Sequence, residues 1–267
     1  MEYKLIAIDM DGTLLNSNNK VSPRTKKTIE LAKEKGVHVV LSTGRILRSV
    51  LYFAEELQLN NPIIACNGAI ILDEKRNVIY NRPIRLDAAR KVMEIGKKYS
   101  VYYHFYNEES LFSRQYIKEI VDYYSTRIQK INVEVFEDDY ERILSKNPNI
   151  FKFLFIDNDN EKLIRLREDF NSVEGISISK SWENNLEVMD LKASKGIGLK
   201  ILCNELNIDQ SQVIAIGDSE NDLSMLQVAG LSVAMGNGDE NVKLVADYVT
   251  DTCDNDGVAK AIEKFVL

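Results

Sequence analysis

The chain has 267 residues, of which 45% are hydrophobic and 28% are charged, and its formal net charge is -7. These proportions are typical of a soluble globular protein with one large or two modest domains. The acidic balance, without a basic stripe, argues against nucleic-acid binding, and no run of 18 apolar residues is present to span a membrane.

Cysteine usage and the first residues indicate the cellular setting. Cys66, Cys203 and Cys253 are widely spaced and form no CxxC pair, so neither a disulfide framework nor a zinc site is expected. The first residues lead straight into a strand, without an apolar signal region. We therefore expect a protein of the reducing cytoplasm, either a monomer or a weak homo-oligomer.

The first part of the chain alternates strands with helices. Apolar strands are predicted at residues 5–8, 37–41 and 62–66, and amphipathic helices are predicted to begin near Pro23 and Arg45.

The middle of the chain, residues 84–189, has a different character and holds most of the tyrosines. Strands with alternating side chains are predicted at 101–105, 151–156, 176–180 and 186–189, and helices at 86–99, 116–128 and 161–170. This segment is predicted to be an inserted α+β domain.

The first rhythm resumes after about residue 190. The predicted elements are a helix at 194–206, a strand at 213–216, a helix at 221–229, a strand at 231–234 and a helix at 240–245. Buried strands separated by helices indicate a parallel sheet with helices on both faces. The predicted core is therefore discontinuous, formed by residues 1–83 and 190–267.

The most informative stretch is DMDGT at 9–13, directly after the first strand. Side chains alternate along a strand, so Asp9 and Asp11 start on the same side, roughly 7 Å apart in Cα position. Gly12 allows a sharp turn that frees backbone N–H groups for an anion. A divalent cation such as Mg²⁺, which prefers oxygen ligands, would relieve the repulsion between the two carboxylates. The alternative is an ordinary acidic turn.

Two further motifs lie where ligands of a parallel sheet bind, beyond the carboxyl ends of the strands. In STGR at 42–45, a hydroxyl and a glycine amide at a helix start suit phosphate oxygens, although a Ser or Thr there also serves as a helix cap. In GDSEND at 217–222, acidic groups follow a strand, and the alternative is an acidic helix start favoured by the macrodipole.

Lys195 opens the predicted helix at 194–206, where a cation opposes the helix macrodipole. An unfavourable placement points to a function, although a solvent-exposed lysine would be unremarkable there. One such motif at each of four strand ends or adjoining helix starts is an improbable coincidence. Together the motifs fill the roles that phosphoryl transfer needs.

The chain resembles the haloacid dehalogenase (HAD) superfamily and, within it, the Cof-like phosphatases with a large α/β cap. The matching motifs are DMDGT (9–13), LSTGR (41–45), SKG (194–196) and GDSEND (217–222), with weaker matches at NGA (67–69), ADYVT (246–250) and DGVA (256–259). The resemblance implies a Rossmann-like core, with a parallel sheet and helices on both faces, and an inserted α+β cap at 84–189. It also implies a phosphatase that uses Mg²⁺.

Carried over to the matching residues, the resemblance implies that Asp9 is the nucleophile and Asp11 the general acid/base. Mg²⁺ would be bound by the Asp9 carboxylate, the Asp11 backbone carbonyl and Asp218. Asp222 would lie next to these ligands and support them without binding the ion. The groups implied to bind phosphoryl oxygens are the Met10 amide, Thr43, the Gly44 amide, Lys195 and Asn221.

In such relatives the cap closes over the strand ends and reads the leaving group. The expected substrate is a small phosphorylated metabolite, such as a sugar phosphate, a nucleotide or a cofactor phosphate. Candidate substrate contacts are His104, Tyr106 and Trp182 in the insert and Arg45 and Asn67 in the core. Ordinary packing or hinge roles are the alternative for each of them.

Two other functions would use the same residues. A phosphotransferase or phosphomutase would result if the cap excluded water and admitted a second hydroxyl. A noncatalytic phosphosugar sensor would keep the fold but lose Asp9, Asp11 or Lys195, which are all present. A membrane-bound cation pump is excluded by the absence of apolar spans in the sequence.

Overall fold

A computed structural model describes residues 2–122 and 131–267 of the chain. The chain divides into two compact units. The first unit comprises Met1–Gly44, Phe53–Tyr80 and Ser194–Leu267, and the second unit comprises Arg45–Tyr52 and Asn81–Ala193. The segment Arg45–Tyr52, with the candidate substrate contact Arg45, was expected in the first unit and belongs to the second.

In chain order the strands are β1 (Leu5–Ile8), β2 (His38–Ser42), β3 (Ile63–Ala65), β4 (Ile70–Leu72), β5 (Val78–Asn81), β6 (Tyr102–Tyr106), β7 (Ser110–Ser113), β8 (Asn132–Val135), β9 (Lys152–Ile156), β10 (Ile176–Ser179), β11 (Asn185–Asp190), β12 (Val213–Gly217), β13 (Leu231–Ala234) and β14 (Tyr248–Val249). The helices are α1 (Pro23–Glu34), α2 (Leu47–Glu56), α3 (Leu86–Lys98), α4 (Lys118–Asp122), α5 (Tyr140–Leu144), α6 (Asn160–Phe170), α7 (Lys195–Glu205), α8 (Leu223–Leu226), α9 (Glu240–Val245) and α10 (Gly257–Phe265).

The first unit is built on a sheet in the order β14-β13-β12-β1-β2-β3-β4-β5. β1 pairs in parallel with β2 and β12, whereas β4 runs antiparallel to β3. Leu5 and Ala7 pack in one cluster with Leu202 of α7. Ile6 and Ile8 point to the opposite face and are equally buried. The sheet is therefore covered on both faces, as the uninterrupted apolar sequence of β1 predicts.

The second unit has a mostly antiparallel sheet in the order β10-β11-β9-β6-β7-β8. Along β6 the side chains alternate between its faces. Tyr103 and Phe105 join the hydrophobic core that includes residues of α3, α5 and α6. Tyr102, His104 and Tyr106 point to the opposite face. This unit is therefore an α+β structure with one apolar and one more polar sheet face.

One predicted helix of the core is wrong in length. The segment predicted as a helix at 221–229 consists of a 3-10 turn, Glu220–Asp222, followed by α8, which covers Leu223–Leu226. The Asp222 carboxylate bonds backwards to the N–H groups of the two residues that open the motif loop, Asp218 and Ser219, and this holds a tight turn where a regular helix start was expected.

Several short elements were missed by sequence reasoning. β4, β5, β7, β8 and β14 have two to four residues each, which is too few for an alternation of side chains to be recognised. The helix predicted at 116–128 is described as far as Asp122, and its remainder lies outside the described residues. In the two described ranges, no helix is long and apolar enough to cross a membrane.

Candidate active site

The carboxyl ends of β1, β2 and β12 meet at one edge of the first sheet. β1 lies between the other two strands, with Ile8 beside Leu41 and Ile216. Directly after the strand, the Asp9 N–H donates to the Ile216 carbonyl at 3.0 Å, so Asp9 lies next to the loop at 217–222. The strand order thus joins motifs that are far apart in the sequence, as expected for a ligand site of a parallel sheet.

Lys195 is a further charged group at this edge. It is fully buried at the start of α7, with its Nζ 2.5 Å from Asp9 Oδ1 and 2.6 Å from Asp222 Oδ1. Burial alone would lower the pKa of the ammonium group, but the attraction of Asp222 and Asp9 outweighs burial and raises the pKa. The two carboxylates also offset the unfavourable position of a cation at a helix N-terminus.

Asp222 is fully buried and holds several groups in place. Its Oδ2 accepts hydrogen bonds from the N–H groups of Asp218 and Ser219 at 2.9 Å and 3.0 Å, and its Oδ1 accepts from Lys195. Both carboxylate oxygens are therefore used by the protein itself. Asp222 Oδ2 accepts two hydrogen bonds and its Oδ1 is paired with an ammonium group, whereas each Asp218 oxygen accepts one neutral hydroxyl. This difference favours a positioning role for Asp222 and leaves Asp218 the more available metal ligand.

Asp218 is held by hydroxyl groups and by a close backbone approach. Its Oδ1 accepts from Thr13 Oγ1 at 2.7 Å and its Oδ2 accepts from Ser219 Oγ at 2.9 Å. A Cβ atom at position 12 would stand 2.5 Å from Asp218 Oδ2, and Gly12 has a φ of +79°. Both the space and the backbone conformation therefore require glycine at this position.

Three aspartates of the site form a charged cluster. Asp9, Asp218 and Asp222 each place a carboxylate oxygen within 4.8 Å of the others. Burial raises the pKa of Asp9 well above its usual value; attraction to Lys195 opposes this effect and repulsion from the neighbouring aspartates adds to it. Burial and repulsion from Asp222 raise the pKa of Asp218 to about 6, although the hydrogen bonds that its carboxylate accepts act in the opposite direction.

The donor atoms of this cluster suit a hard divalent cation. Mg²⁺ prefers carboxylate and carbonyl oxygens, and a carboxylate oxygen that accepts one hydrogen bond retains a lone pair. A cation between Asp9 and Asp218 would also remove the repulsion that raises their pKa values. The residues present therefore fit a magnesium ion.

Apart from Lys195 in α7, the groups implied to bind phosphoryl oxygens lie in turns and loops of the first unit. Met10 and Thr43 are buried at strand ends, and Gly44 is half-buried. The Asn67 N–H donates to the Thr43 carbonyl at 2.9 Å, and Asn67 Oδ1 accepts from Asn221 Nδ2 at 3.5 Å. Two predicted site residues, Asn67 and Asn221, are thereby brought together.

The predicted substrate contacts of the insert differ in their surroundings. His104 is buried, with Nδ1 3.1 Å from Tyr102 Oη and Nε2 2.8 Å from Tyr106 Oη. Burial, assisted by a nearby lysine, lowers the pKa of His104 to about 3, so the imidazole is neutral. Trp182 is 57% exposed. Hydrogen bonds to tyrosines occupy both nitrogens of His104, whereas the Trp182 ring is accessible.

Three residues at the site were not given a role by sequence reasoning. Thr13 and Ser219 donate to the Asp218 carboxylate, and Asn237 Nδ2 donates to the Gly12 carbonyl at 2.8 Å. Asn237 lies between two glycines in the turn that follows β13, the neighbour of β12. A polar residue in a glycine-rich turn at one more strand end was the signal that could have revealed it.

The chain is similar to known proteins over nearly its whole length. It matches the family model of haloacid dehalogenase-like hydrolases over residues 6–262. It is 34% identical to 5-amino-6-(5-phospho-D-ribitylamino)uracil phosphatase YcsE of Bacillus subtilis (strain 168), over 100% of this chain and 97% of that protein. It is 35% identical to phosphatase YwpJ of the same organism, over 96% of this chain and 97% of that one.

A solved structure shows the same fold. A haloacid dehalogenase-like hydrolase from B. subtilis superposes with a TM-score of 0.90 at 30% identity, covering 98% of this chain and 100% of that chain. This likeness confirms the predicted fold class, a Rossmann-like core with an inserted α+β cap. With the family match and the phosphatases among its relatives, the chain belongs to the haloacid dehalogenase-like hydrolases and is a phosphatase of that family.

Proposed function

We propose that the protein is a magnesium-dependent phosphatase that hydrolyses phosphate monoesters of small metabolites through an aspartyl-phosphate at Asp9. The observation that carries this proposal is the position of the Asp9 carboxylate, which is buried at the end of β1, 2.5 Å from Lys195 Nζ and close to Asp218. A nucleophile, a cation for phosphoryl oxygens and acidic metal ligands together meet the demands of phosphoryl transfer, which are positioning and charge compensation.

In the first step, a carboxylate oxygen of Asp9 attacks phosphorus while the bond from phosphorus to the leaving-group oxygen breaks. Asp11, in its protonated form, gives its proton to that oxygen, so the product leaves as a neutral alcohol. Lys195 favours the ionised carboxylate that this step needs and stabilises charge on the phosphoryl oxygens. Thr43 is positioned at the end of β2 to bind the same oxygens.

In the second step, a water molecule attacks the phosphorus of the aspartyl-phosphate and Asp11 accepts its proton. The bond from phosphorus to the Asp9 oxygen breaks, so inorganic phosphate leaves and the carboxylate is restored. Asp11 therefore acts as an acid in the first step and as a base in the second. Its place two residues after Asp9, on a loop turned by Gly12, suits both steps.

Mg²⁺ supplies positive charge that neutralises the phosphoryl oxygens and the aspartates. The Asp9 and Asp218 carboxylates and the Asp11 backbone carbonyl would hold it. Thr13 orients Asp218 through the hydrogen bond from its hydroxyl, at 2.7 Å. Asp222 acts indirectly, because its oxygens bind Lys195 and the N–H groups of the Asp218 loop.

The relatives support a small metabolite as the substrate. One of them is named a phosphatase of 5-amino-6-(5-phospho-D-ribitylamino)uracil, in which the phosphate is an ester of a polyol chain. We propose the same broad class for this chain, namely sugar phosphates, nucleotides or cofactor phosphates.

We further propose that the inserted cap selects the leaving group. The implied chemical groups lie in the first unit, while the second unit carries a more polar sheet face with His104, Tyr106 and a buried ion pair. In that pair, Lys152 Nζ lies 2.8 Å from Glu187 Oε1. Hydroxyl, imidazole and charged groups on one face provide donors and acceptors that can distinguish polar leaving groups.

Trapping the intermediate is the decisive experiment. The protein is mixed with Mg²⁺ and p-nitrophenyl phosphate, quenched, and treated with borohydride, which reduces an acyl phosphate to an alcohol. Peptide mass spectrometry is expected to find the reduced side chain at position 9. Failure to find it during measurable turnover, together with substantial activity of Asp9→Asn, contradicts the mechanism.

Variants and metal removal complete this test. Asp9→Asn should abolish turnover but leave the circular dichroism spectrum unchanged. The control Asp87→Asn, at an exposed aspartate of the second unit, should leave both turnover and the spectrum unchanged. Phosphate release from a panel of metabolites, with Mg²⁺ and with excess chelator, then tests the metal and the substrate class together. Equal activity in chelator contradicts the metal requirement.

A further inference from the structure

The loop after β13, residues 235–239, contacts both aspartate loops of the site. Its backbone contacts include hydrogen bonds from the Met235 N–H to the Gly217 carbonyl at 3.0 Å and from the Asp239 N–H to the Asp218 carbonyl at 2.8 Å. Its side-chain contact is the hydrogen bond from Asn237 Nδ2 to the Gly12 carbonyl, also at 2.8 Å. The loop thus bridges the turn that follows Asp9 and the loop that carries Asp218.

Asn237 also reaches the C-terminal part of the first unit. Its Oδ1 accepts a hydrogen bond from the Cys253 N–H at 2.8 Å. An asparagine amide suits this double contact because it carries a donor and an acceptor on one short side chain. The two partners fix its orientation, since the nitrogen must face the Gly12 carbonyl and the oxygen must face the N–H group.

The orientation of the Gly12 carbonyl affects the position of the Asp218 carboxylate. The Gly12 backbone lies close to the Asp218 carboxylate, since a Cβ atom at position 12 would stand 2.5 Å from Asp218 Oδ2. The next residue, Thr13, donates its hydroxyl proton to the same carboxylate. A rotation of the peptide between Gly12 and Thr13 would therefore displace the Asp218 carboxylate or remove one of its donors.

Neither core packing nor folding stability explains why an asparagine stands at position 237. The side chain is exposed, so it fills no core, and hydrogen bonds of an exposed neutral amide add little to folding stability. A simple tether to the C-terminal segment is the competing explanation. The structure offers a matched control for it, because Asp254, one residue beyond Cys253, tethers the same segment through another contact, in which its Oδ1 accepts from the Ser17 N–H at 2.8 Å.

We propose that Asn237 is a positioning residue of the phosphatase. By fixing the Gly12 carbonyl, it keeps the Asp9 turn and Asp218 at the spacing that Mg²⁺ binding requires. This inference rests on the proposed function, because it concerns the metal site of that function. It adds a residue outside the four motifs and assigns it a role through Gly12, without contact to the substrate.

Mg²⁺ titration calorimetry tests the proposal on metal-stripped wild type, Asn237→Ala, Asn237→Leu and Asp254→Ala. Both Asn237 variants should bind Mg²⁺ more weakly, on the order of tenfold, while Asp254→Ala should match the wild type. The Tm of the metal-free proteins should be similar. With p-nitrophenyl phosphate, the Asn237 variants should need more Mg²⁺ but recover most of their turnover at saturation.

Three outcomes would overturn the proposal while the proposed function stands. These are wild-type Mg²⁺ affinity in both Asn237 variants, equal weakening in Asp254→Ala, and a fall in Tm without any change in affinity, which marks a purely structural role. A wild-type protein that turns over substrate but binds no Mg²⁺ overturns the metal part of the proposed function, and the inference falls with it.

Discussion

The ammonium group of Lys195 lies 2.5 Å from the Asp9 carboxylate, although 186 positions separate the two residues along the chain. The side chain of Lys195 is 0% exposed and that of Asp9 is 7% exposed, so this is a buried ion pair, and Asp222 is its second acidic partner. Buried charges persist only when they are paired. The same contact therefore favours the ionised form of the nucleophile, against the burial that raises its pKa, and holds α7 against the motif loops.

Replacement of Lys195 should affect stability and chemistry together. Lys195→Met leaves two buried carboxylates without their cation, so the free energy of unfolding should fall by about 3 to 5 kcal/mol. The kcat/KM for every substrate should fall by a similar factor, at least about 100-fold. Urea unfolding and a substrate panel measure both effects. Lys200→Met, at an exposed lysine on the same helix, should change neither; a loss confined to some substrates would contradict this role for Lys195.

Gly12 and Gly36 form a natural pair for testing the close approach to Asp218. Both have φ near +80°, but a Cβ at position 36 would meet nothing within 4 Å. Gly36→Ala should therefore only destabilise the fold, by roughly 1 kcal/mol, with normal Mg²⁺ affinity. Gly12→Ala should carry the same cost and also displace the Asp218 carboxylate, so Mg²⁺ binding should be lost in calorimetry. Normal binding by Gly12→Ala would show that Asp218 is not a ligand.

Asp218 should destabilise the metal-free protein at neutral pH. Its folded pKa, about 6, lies above the usual 3.8, so its contribution to stability is complete below pH 3.8 and is lost as the pH rises through 6. At pH 8 without Mg²⁺, Asp218→Asn should therefore be more stable than the wild type by roughly 1 to 3 kcal/mol. The advantage should vanish near pH 4 and should reverse at saturating Mg²⁺, which the variant cannot bind.

His104 should have the opposite pH dependence. Its folded pKa of about 3 lies below the usual 6.5, so the unfolded chain takes up a proton between these values and the folded protein does not. Stability is present above pH 6.5 and is lost as the pH falls, by at most about 1.4 kcal/mol per pH unit. The stability difference between wild type and His104→Gln should shrink accordingly between pH 7 and 4. A constant difference would mean that His104 is protonated in the folded protein.

Residues that the sequence singled out lie together in the structure, whereas some details of the fold were not predicted. Asp9 and Asp218 could be singled out because each belongs to a motif at a strand end, and Lys195 because it opens a helix; a parallel sheet brings such ends together. The short α8 could not be predicted, since it depends on how the Asp222 side chain bonds back to its own loop. Asn237 was missed for a related reason: its glycine-rich turn marks a strand end, but its partners, main-chain groups of Gly12 and Cys253, cannot be identified from the sequence.

The assignment of Arg45 shows a second limit. The motif at 42–45 ends a strand of the first unit, yet Arg45–Tyr52 belongs to the second. Ile46 packs with Tyr106 and Leu111 of the second unit, and such long-range apolar contacts cannot be read from local periodicity. His104 was named as a candidate substrate contact, with ordinary packing as the alternative, but the bonds that join it to its two tyrosine partners became visible only in the structure.

Selectivity should be separable from chemistry by substitutions in the second unit. If Trp182 contacts the leaving group, Trp182→Ala should change the ranking of phosphorylated metabolites by roughly 1 to 3 kcal/mol in kcat/KM. Turnover of p-nitrophenyl phosphate should change much less, because its good leaving group departs without needing contacts from the cap. Tyr116→Ala is the matched control, because Tyr116 is also an exposed aromatic residue of this unit, at 63% against 57% for Trp182.

The same ranking experiment applies to the buried sheet face, where Tyr106→Phe removes one hydroxyl and His104→Gln replaces the ring between the two tyrosines. If Trp182→Ala, Tyr106→Phe and His104→Gln all leave the ranking of substrates unchanged, other cap residues contact the leaving group. His104 would then be a packing residue held by its neighbours. A uniform loss for every substrate, p-nitrophenyl phosphate included, would instead show that these side chains support the phosphoryl step, because the phosphoryl group is the part that all the substrates share.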